Sequence, residues 1–269
     1  MTDQMTDHRL VFVGGLHRSG TTPLTRCLAE HPQVSGFSGT GVEEDEGQHL
    51  QDVYPPARAY GGPGRFALDP AAHLTEASPL LGPDTATRLL ARWRPHWDLS
   101  RPVLVEKSPP NLLMTRFLQG AFGDARFVMV VRHPVIVSLS TRKWARLRSL
   151  GALLEHWFAA HRTFEADAAA LRHLLVVKYE HLVADPSGTL AGIAGFLELG
   201  GEIPAGGIDT RRSAGYERQW AELAGGGPWR RERFRSLCRR YEAAAGHFGY
   251  SLVDLDRADP FPVGSTSVS

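Results

Sequence analysis

Leu10-Val11-Phe12-Val13 runs directly into Gly14-Gly15-Leu16-His17-Arg18-Ser19-Gly20-Thr21-Thr22, an apolar run meeting a glycine-containing turn. The run shows no polar alternation, which is the pattern of a strand buried on both faces. Four residues separate Gly15 from Gly20. That spacing lets the backbone curl and aim successive amide protons, together with the amino end of the next helix, at a phosphate. The helix is expected from Thr22 to Glu30, with Leu24, Cys27 and Leu28 on one face and His31-Pro32 closing the pattern. A nucleoside triphosphatase would carry Lys and then Ser or Thr after the second glycine. Thr21 stands at the lysine position, and the fixed cation of the turn is Arg18, a side chain able to grip a phosphate with two nitrogens.

Working outward, the chain alternates strands with helices. Strands are predicted at Pro102 to Val105, Arg126 to Val131 and Leu174 to Val177. Helices are predicted at Asp84 to Trp97, Asn111 to Phe122, from Pro134, at Leu150 to Leu171, Pro186 to Leu199, Tyr216 to Leu223 and Trp229 to Gly246. Apolar strands separated by helices specify a three-layer α/β fold, P-loop-like, with a central parallel sheet flanked by helices. Residues 33–83 are rich in Gly, Pro and acids and hold no period, so they form an acceptor-binding or lid insertion in a single domain spanning 1–258. Residues 259–269 read as a disordered tail.

Composition narrows the function classes. The 269 residues are 42% apolar, enough for one substantial core, and 30 Lys and Arg against 29 Asp and Glu leave a formal charge of +1. Such a balance gives no global field for nucleic acid or anionic membrane, so any anion site is local. Cys27 and Cys238 sit far apart in apolar-periodic stretches and read as buried free thiols, without a disulfide framework or zinc site. No uncharged apolar stretch reaches the roughly 18 residues of a membrane span, and no basic region followed by an apolar run opens the sequence. A cytoplasmic protein is expected; a homodimer is left open.

The strand at Arg126 to Val131 ends in Arg132-His133-Pro134 and leads to Ser138 and Ser140. A triphosphatase would want an acid at a strand end to organise magnesium, whereas this strand delivers an arginine. Here the sequence resembles the sulfotransferases that use 3′-phosphoadenosine-5′-phosphosulfate (PAPS), in the bacterial and tyrosylprotein branches. Arg18-Ser19-Gly20-Thr21-Thr22 is similar to the family's 5′-phosphosulfate loop, with His17 where proline is frequent. Arg132 and Ser140 are similar to its 3′-phosphate pair of an Arg and a Ser eight residues later. Lys178-Tyr179-Glu180-His181-Leu182 is similar to a segment whose tyrosine lies near the adenine, and Phe248-Gly249-Tyr250 is a fainter match. The resemblance implies metal-independent, in-line sulfuryl transfer to a hydroxyl or amine of a small-molecule, glycan or peptide acceptor, releasing PAP. It implies that Gly15, His17, Arg18, Ser19, Gly20, Thr21 and Thr22 hold the nucleotide with Arg132, Ser140 and Tyr179.

Such a transfer needs a base for the acceptor's proton and positive charge on the leaving oxygen. Lys107, after the strand Val103-Leu104-Val105, is assigned to that oxygen, as a similar Lys is in the tyrosylprotein branch. The base is sought in Glu43-Glu44-Asp45-Glu46-Gly47-Gln48-His49, where crowding and burial can raise a carboxyl pKa. Glu46 is the first choice, Glu44 the second and His49 the rival. Arg211 and Arg212 are candidates for a lid over the 3′-phosphate. Two other readings remain: a kinase or nucleotide hydrolase with Arg18 replacing lysine, and a nucleotide-binding module without chemistry.

Overall fold

The computed structural model describes residues 8–263. In chain order it contains β1 (Arg9–Gly15), α1 (Thr21–Glu30), β2 (Val34–Gly36), α2 (Thr85–Trp93), β3 (Val103–Lys107), α3 (Thr115–Phe122), β4 (Arg126–Val131), α4 (Pro134–Thr141), α5 (Leu150–Ala168) and β5 (Leu174–Lys178). Four helices follow: α6 (Tyr179–Ala184), α7 (Pro186–Phe196), α8 (Ala214–Gly225) and α9 (Pro228–His247). The five strands pair parallel in the order β2-β3-β1-β4-β5, so β1 is central and the turn after it leaves from the middle of the sheet's carboxyl edge.

Period-2 alternation along the strands sends side chains to two separate cores. Val11, Val13, Val103, Val105, Val128 and Val130 pack against α1 and α7. Phe12, Leu104, Phe127, Met129 and Val131 pack on the opposite face against α2, α3, α5 and the end of α9. Apolar side chains on both faces explain why the strands read as unbroken hydrophobic runs, and they make the fold the three-layer arrangement expected. No helix among the described residues is long and apolar enough to cross a membrane.

The departures from expectation have local causes. Pro95 ends α2 early, and Arg94–His96 continues as a 3₁₀ turn. Pro109 and Pro110 make the start of the predicted Asn111 helix a 3₁₀ turn, so α3 begins at Thr115. Lys107 closes β3 rather than following it. The three-residue edge strand β2 and the short α6 carry too little period to be seen in sequence. Residues 33–83 form a series of 3₁₀ turns, and Tyr54, Phe66 and Leu74 are buried in the main core, so this segment is packed rather than loosely attached.

The predicted tail is corrected at its start. Asp259 N donates to Gly249 O at 2.8 Å, Tyr250 pairs with Ala258, and Phe261 is buried among His161, Phe164 and Phe248. A large aromatic at the end of a polar stretch was enough to dock it; the rest of the tail, 264–269, lies outside the described residues. Phe261→Ala is therefore expected to cost about 3 kcal/mol of unfolding free energy, read as a lower urea midpoint at unchanged slope. A midpoint equal to that of the unaltered protein would mean that this docking contributes nothing.

Candidate active site

The turn after β1 is held by its own backbone. Ser19 N and Oγ both donate to Leu16 O, at 3.0 and 2.6 Å. Arg18 sits at φ 73, a left-handed conformation that costs a non-glycine residue free energy and turns its carbonyl toward β4. Gly20 sits at φ 107 and begins α1 with no side-chain cap, so the first amides of a ten-residue helix have no side-chain acceptor. A Cβ at Gly20 would overlap the Tyr179 ring, and one at Gly15 would overlap Val130 O. Both glycines are therefore required by close approach as well as by φ.

Arg132 leaves the end of β4 with its side chain only 3% exposed. Its Nη1 donates to Arg18 O at 3.0 Å, its Nη2 to Ser213 Oγ at 2.7 Å, and its guanidinium lies 4.1 Å from the centre of the Tyr179 ring. Neither hydrogen bond reaches a carboxylate, and Nε has no partner among the described residues. Burial pulls its pKa down, against the opposing pull of Tyr179 and Glu180. A buried cation without an acidic partner is costly, and its Nε adds an unsatisfied buried donor to that cost.

Arg18, Gly20, Thr21, Thr22, Arg132 and Tyr179 line one cleft, and Arg212 reaches it from the segment before α8. Ser140 bonds within its rear wall: Arg18 Nε donates to Ser140 Oγ at 2.8 Å, and Ser140 Oγ donates to Tyr216 at 3.1 Å. Ser138, two residues before it, lines a separate small cavity with His17 and His156, and its hydroxyl has no partner among the described residues. His17 borders both spaces; burial, with Lys107 and His49 adding to it, lowers its pKa to about 3, so its imidazole is neutral. Gly15 and Ser19 shape the turn from beneath and do not line the cleft.

The acidic run separates into distinct roles. Positive φ at Glu44 (52) and Asp45 (50) reverses the chain, leaving Glu44 exposed and turning Glu46 inward to 6% exposure. Lys107 Nζ donates to Glu44 O at 2.8 Å, Glu46 Oε1 at 3.2 Å and Thr22 Oγ1 at 3.5 Å. It lies behind Glu46 and Thr22 and does not itself line the cleft, as Glu46 and His49 do. Burial raises the Glu46 pKa, and Lys107 and a hydrogen bond from Gln48 Nε2 partly offset the rise. His49 Nε2 is 3.8 Å from Glu46 Oε2, and burial lowers its pKa, with Arg58 adding to the effect.

Several residues of the site are marked by no motif or period in the sequence. Glu106 is fully buried at the end of β3, and burial raises its pKa to about 7. Ser108 Oγ donates to it at 2.6 Å and accepts from Gln48 N at 2.9 Å; Asn111 also donates to it. A chain of hydrogen bonds thus runs from β3 through Ser108 and Gln48 to Glu46. Ser213 lay one residue beyond the Arg211-Arg212 pair considered for a lid, and Trp144 stacks 4.8 Å from the Arg18 guanidinium. Arg211 does not line the cleft.

Comparison with known proteins gives the following. The sequence profile of the sulfotransferase family matches residues 11–202. Protein-tyrosine sulfotransferase 2 of Gallus gallus is 25% identical over 200 residues, covering 71% of this chain and 51% of that protein, so the chain spans about half the length of this relative. Sulfotransferase STF1 from Mycobacterium tuberculosis H37Rv superposes with a TM-score of 0.49 at 17% identity, covering 80% of this chain and 78% of that one. Mouse sulfotransferase SULT7A1, complexed with PAP, gives 0.41 at 15% identity over 81% and 67%.

Gly20→Ala tests the packing of the turn. Clash with Tyr179 and the unfavourable φ together are expected to lower stability by about 1–3 kcal/mol, measured by urea unfolding. Pairing the change with Tyr179→Ala should recover the clash portion; no recovery would mean that Tyr179 does not press on Gly20.

Proposed function

The chain belongs to the sulfotransferase family, and from that premise we propose that it moves a sulfuryl group from PAPS to a hydroxyl or amine on an acceptor, without a metal. The observation that carries this reading is Arg132: a buried guanidinium with no carboxylate partner among the described residues, on the wall of the same cleft as an uncapped helix start. Two anion sites, one formed by backbone amides and one by an arginine, suit a nucleotide with phosphates at both ends better than a triphosphate, which would call for a lysine at Thr21. Glycine at position 20 lets the Tyr179 ring pack against the turn, beside Arg132.

In this proposal the turn from Gly15 to Thr22 takes the 5′ end, with Arg18 as its cation. Arg132 and Arg212 take the 3′-phosphate, with Ser140 steadying Arg18, and Tyr179 lies against the base. PAPS supplies the activated sulfuryl group. Glu46 accepts the acceptor's proton: its carboxylate faces the cleft, and burial makes it a stronger base than an exposed carboxylate. Glu44 is exposed and hydrogen-bonded to Thr22 at 3.3 Å, while burial makes His49 a weaker base than an ordinary imidazole. Lys107 orients Glu46, and it reaches the leaving oxygen by giving up Thr22, its longest contact. His17 is a neutral donor beside the turn. The acceptor is a small molecule, glycan or peptide taken up beside the 33–83 segment, in a protein of the cytoplasm.

Calorimetric titration without metal is expected to show PAP binding more tightly than ADP or ATP, and Arg132→Ala to weaken PAP by about 2–3 kcal/mol with the fold retained by circular dichroism. Tighter, magnesium-dependent ATP binding would refute the assignment. For Glu46→Gln the expected loss in kcat is roughly 10²–10⁴-fold with PAP affinity retained. Because Glu46 acts deprotonated and its pKa is raised, kcat/KM of the parent enzyme should fall with acid at a pH above the ordinary carboxyl value of 4.5. That acid limb should be absent from the variant's residual activity; full activity in the variant would transfer the role to Glu44 or His49.

A further inference from the structure

The near-neutral charge of the whole chain conceals a strong segregation. Residues 142–148 and 229–240 together hold ten of the 30 Lys and Arg and one of the 29 acids, which leaves 20 basic and 28 acidic side chains everywhere else. The first segment links α4 to α5 and contributes Arg142, Lys143, Arg146 and Arg148. The second is the first three turns of α9 and contributes Arg230, Arg231, Arg233, Arg235, Arg239 and Arg240. Arg239 pairs with Glu232 at 2.7 Å and Arg240 lies 3.7 Å from Glu155; the other arginines make no ion pair among the described residues. The two segments meet: Arg142 lines the same surface groove as Trp229, Arg230 and Arg233, with Glu222 of α8 as the acid present there.

Apolar side chains stand out from this basic surface. Leu147 is 103% exposed, Trp229 91% and Trp144 58%, the three most exposed large apolar residues apart from Val253 among the described residues. Arginines with outward Trp and Leu are the composition of a surface that lies in the headgroup layer of a bilayer, where the guanidinium groups meet anionic lipid and the apolar tips enter the acyl boundary. A polyanion such as nucleic acid offers Leu147 no apolar environment. A second copy of this face would bring like charges together.

We infer that the face formed by residues 142–148 and the start of α9 docks on an anionic lipid surface. Trp144, which stacks on Arg18 and lines the cleft, joins this face to the cleft mouth, so docking sets the mouth beside the headgroups. This inference does not depend on the transfer reaction, and its test uses none.

The test is co-sedimentation of the full chain with vesicles of neutral phosphatidylcholine and with vesicles containing about 30% phosphatidylserine. Binding is expected to the anionic vesicles only, and to disappear between about 50 mM and 500 mM salt. Arg230→Glu with Arg233→Glu should weaken partitioning at least tenfold, on the order of the electrostatic contribution of two surface charges reversed. Leu147→Ser with Trp229→Ala should weaken it without changing its salt dependence. All four positions are exposed, so circular dichroism should show both variants folded. Failure to bind anionic vesicles, equal binding to neutral ones, or indifference to the Leu147 and Trp229 changes would overturn the inference. So would concentration-dependent dimerisation abolished by those same changes, which would assign the face to a second copy.

Discussion

A guanidinium buried at the carboxyl end of β4, without a carboxylate to neutralise it, sets the terms for everything around it. Arg132 can be desolvated only because other groups compensate: the Arg18 carbonyl, the Ser213 hydroxyl and the face of Tyr179. Each compensation constrains another part of the chain. The carbonyl must point at Arg132, so Arg18 takes a left-handed conformation. Tyr179 must lie flat beneath the guanidinium, so position 20 can hold no side chain. The turn after β1, the end of β4 and the start of α6 are therefore one packed column, not three independent motifs.

The column is braced from behind. Trp157 Nε1 donates to Arg132 O at 3.0 Å and fixes the strand end to α5. Glu180 accepts from His133 N at 2.8 Å and from Tyr250 at 2.9 Å, tying α6, α4 and the closing segment together. Lys178 donates to Phe248 O at 2.6 Å and lies 3.4 Å from the Tyr250 ring centre; burial lowers its pKa to about 7. Within Lys178-Tyr179-Glu180, alternate residues thus serve the scaffold and the middle one serves the cleft. The faint match at Phe248-Gly249-Tyr250 has the same origin, since those residues receive Lys178 and Glu180.

What was legible in the sequence follows from which contacts are local. The turn after β1 depends on residues a few positions apart, so glycine spacing and the missing lysine could be read directly. Arg132 could be placed because an apolar strand ends at a fixed edge of a parallel sheet. Ser213, 81 residues away in a stretch of Gly and polar residues without period, could not be paired with it. Glu106 was hidden differently: one acid at the end of an apolar strand looks like an exposed terminus, and only Ser108 and Asn111 folding back over it make it a buried member of the site. In the acidic run the sequence shows four similar residues. Their difference arises from two left-handed residues and one lysine that approaches from β3, neither visible in composition.

Charge is the clearest case of a quantity whose sum misleads. A formal +1 correctly says that no long-range field surrounds the molecule, but it averages a basic face on α9 with an acidic remainder. At physiological ionic strength the screening length is about 8 Å, shorter than a domain, so an approaching partner responds to the nearest face and not to the total. The same reasoning holds around the cleft on a smaller scale. Lys107 and Glu46 are 3.2 Å apart and shielded from water, so each fixes the other's position, whereas Arg132 is held by a carbonyl, a hydroxyl and a ring, with no carboxylate to neutralise it. One cation is neutralised by a carboxylate and the other is not, and this difference in pairing, more than the number of basic residues, sets the local charge of the cleft.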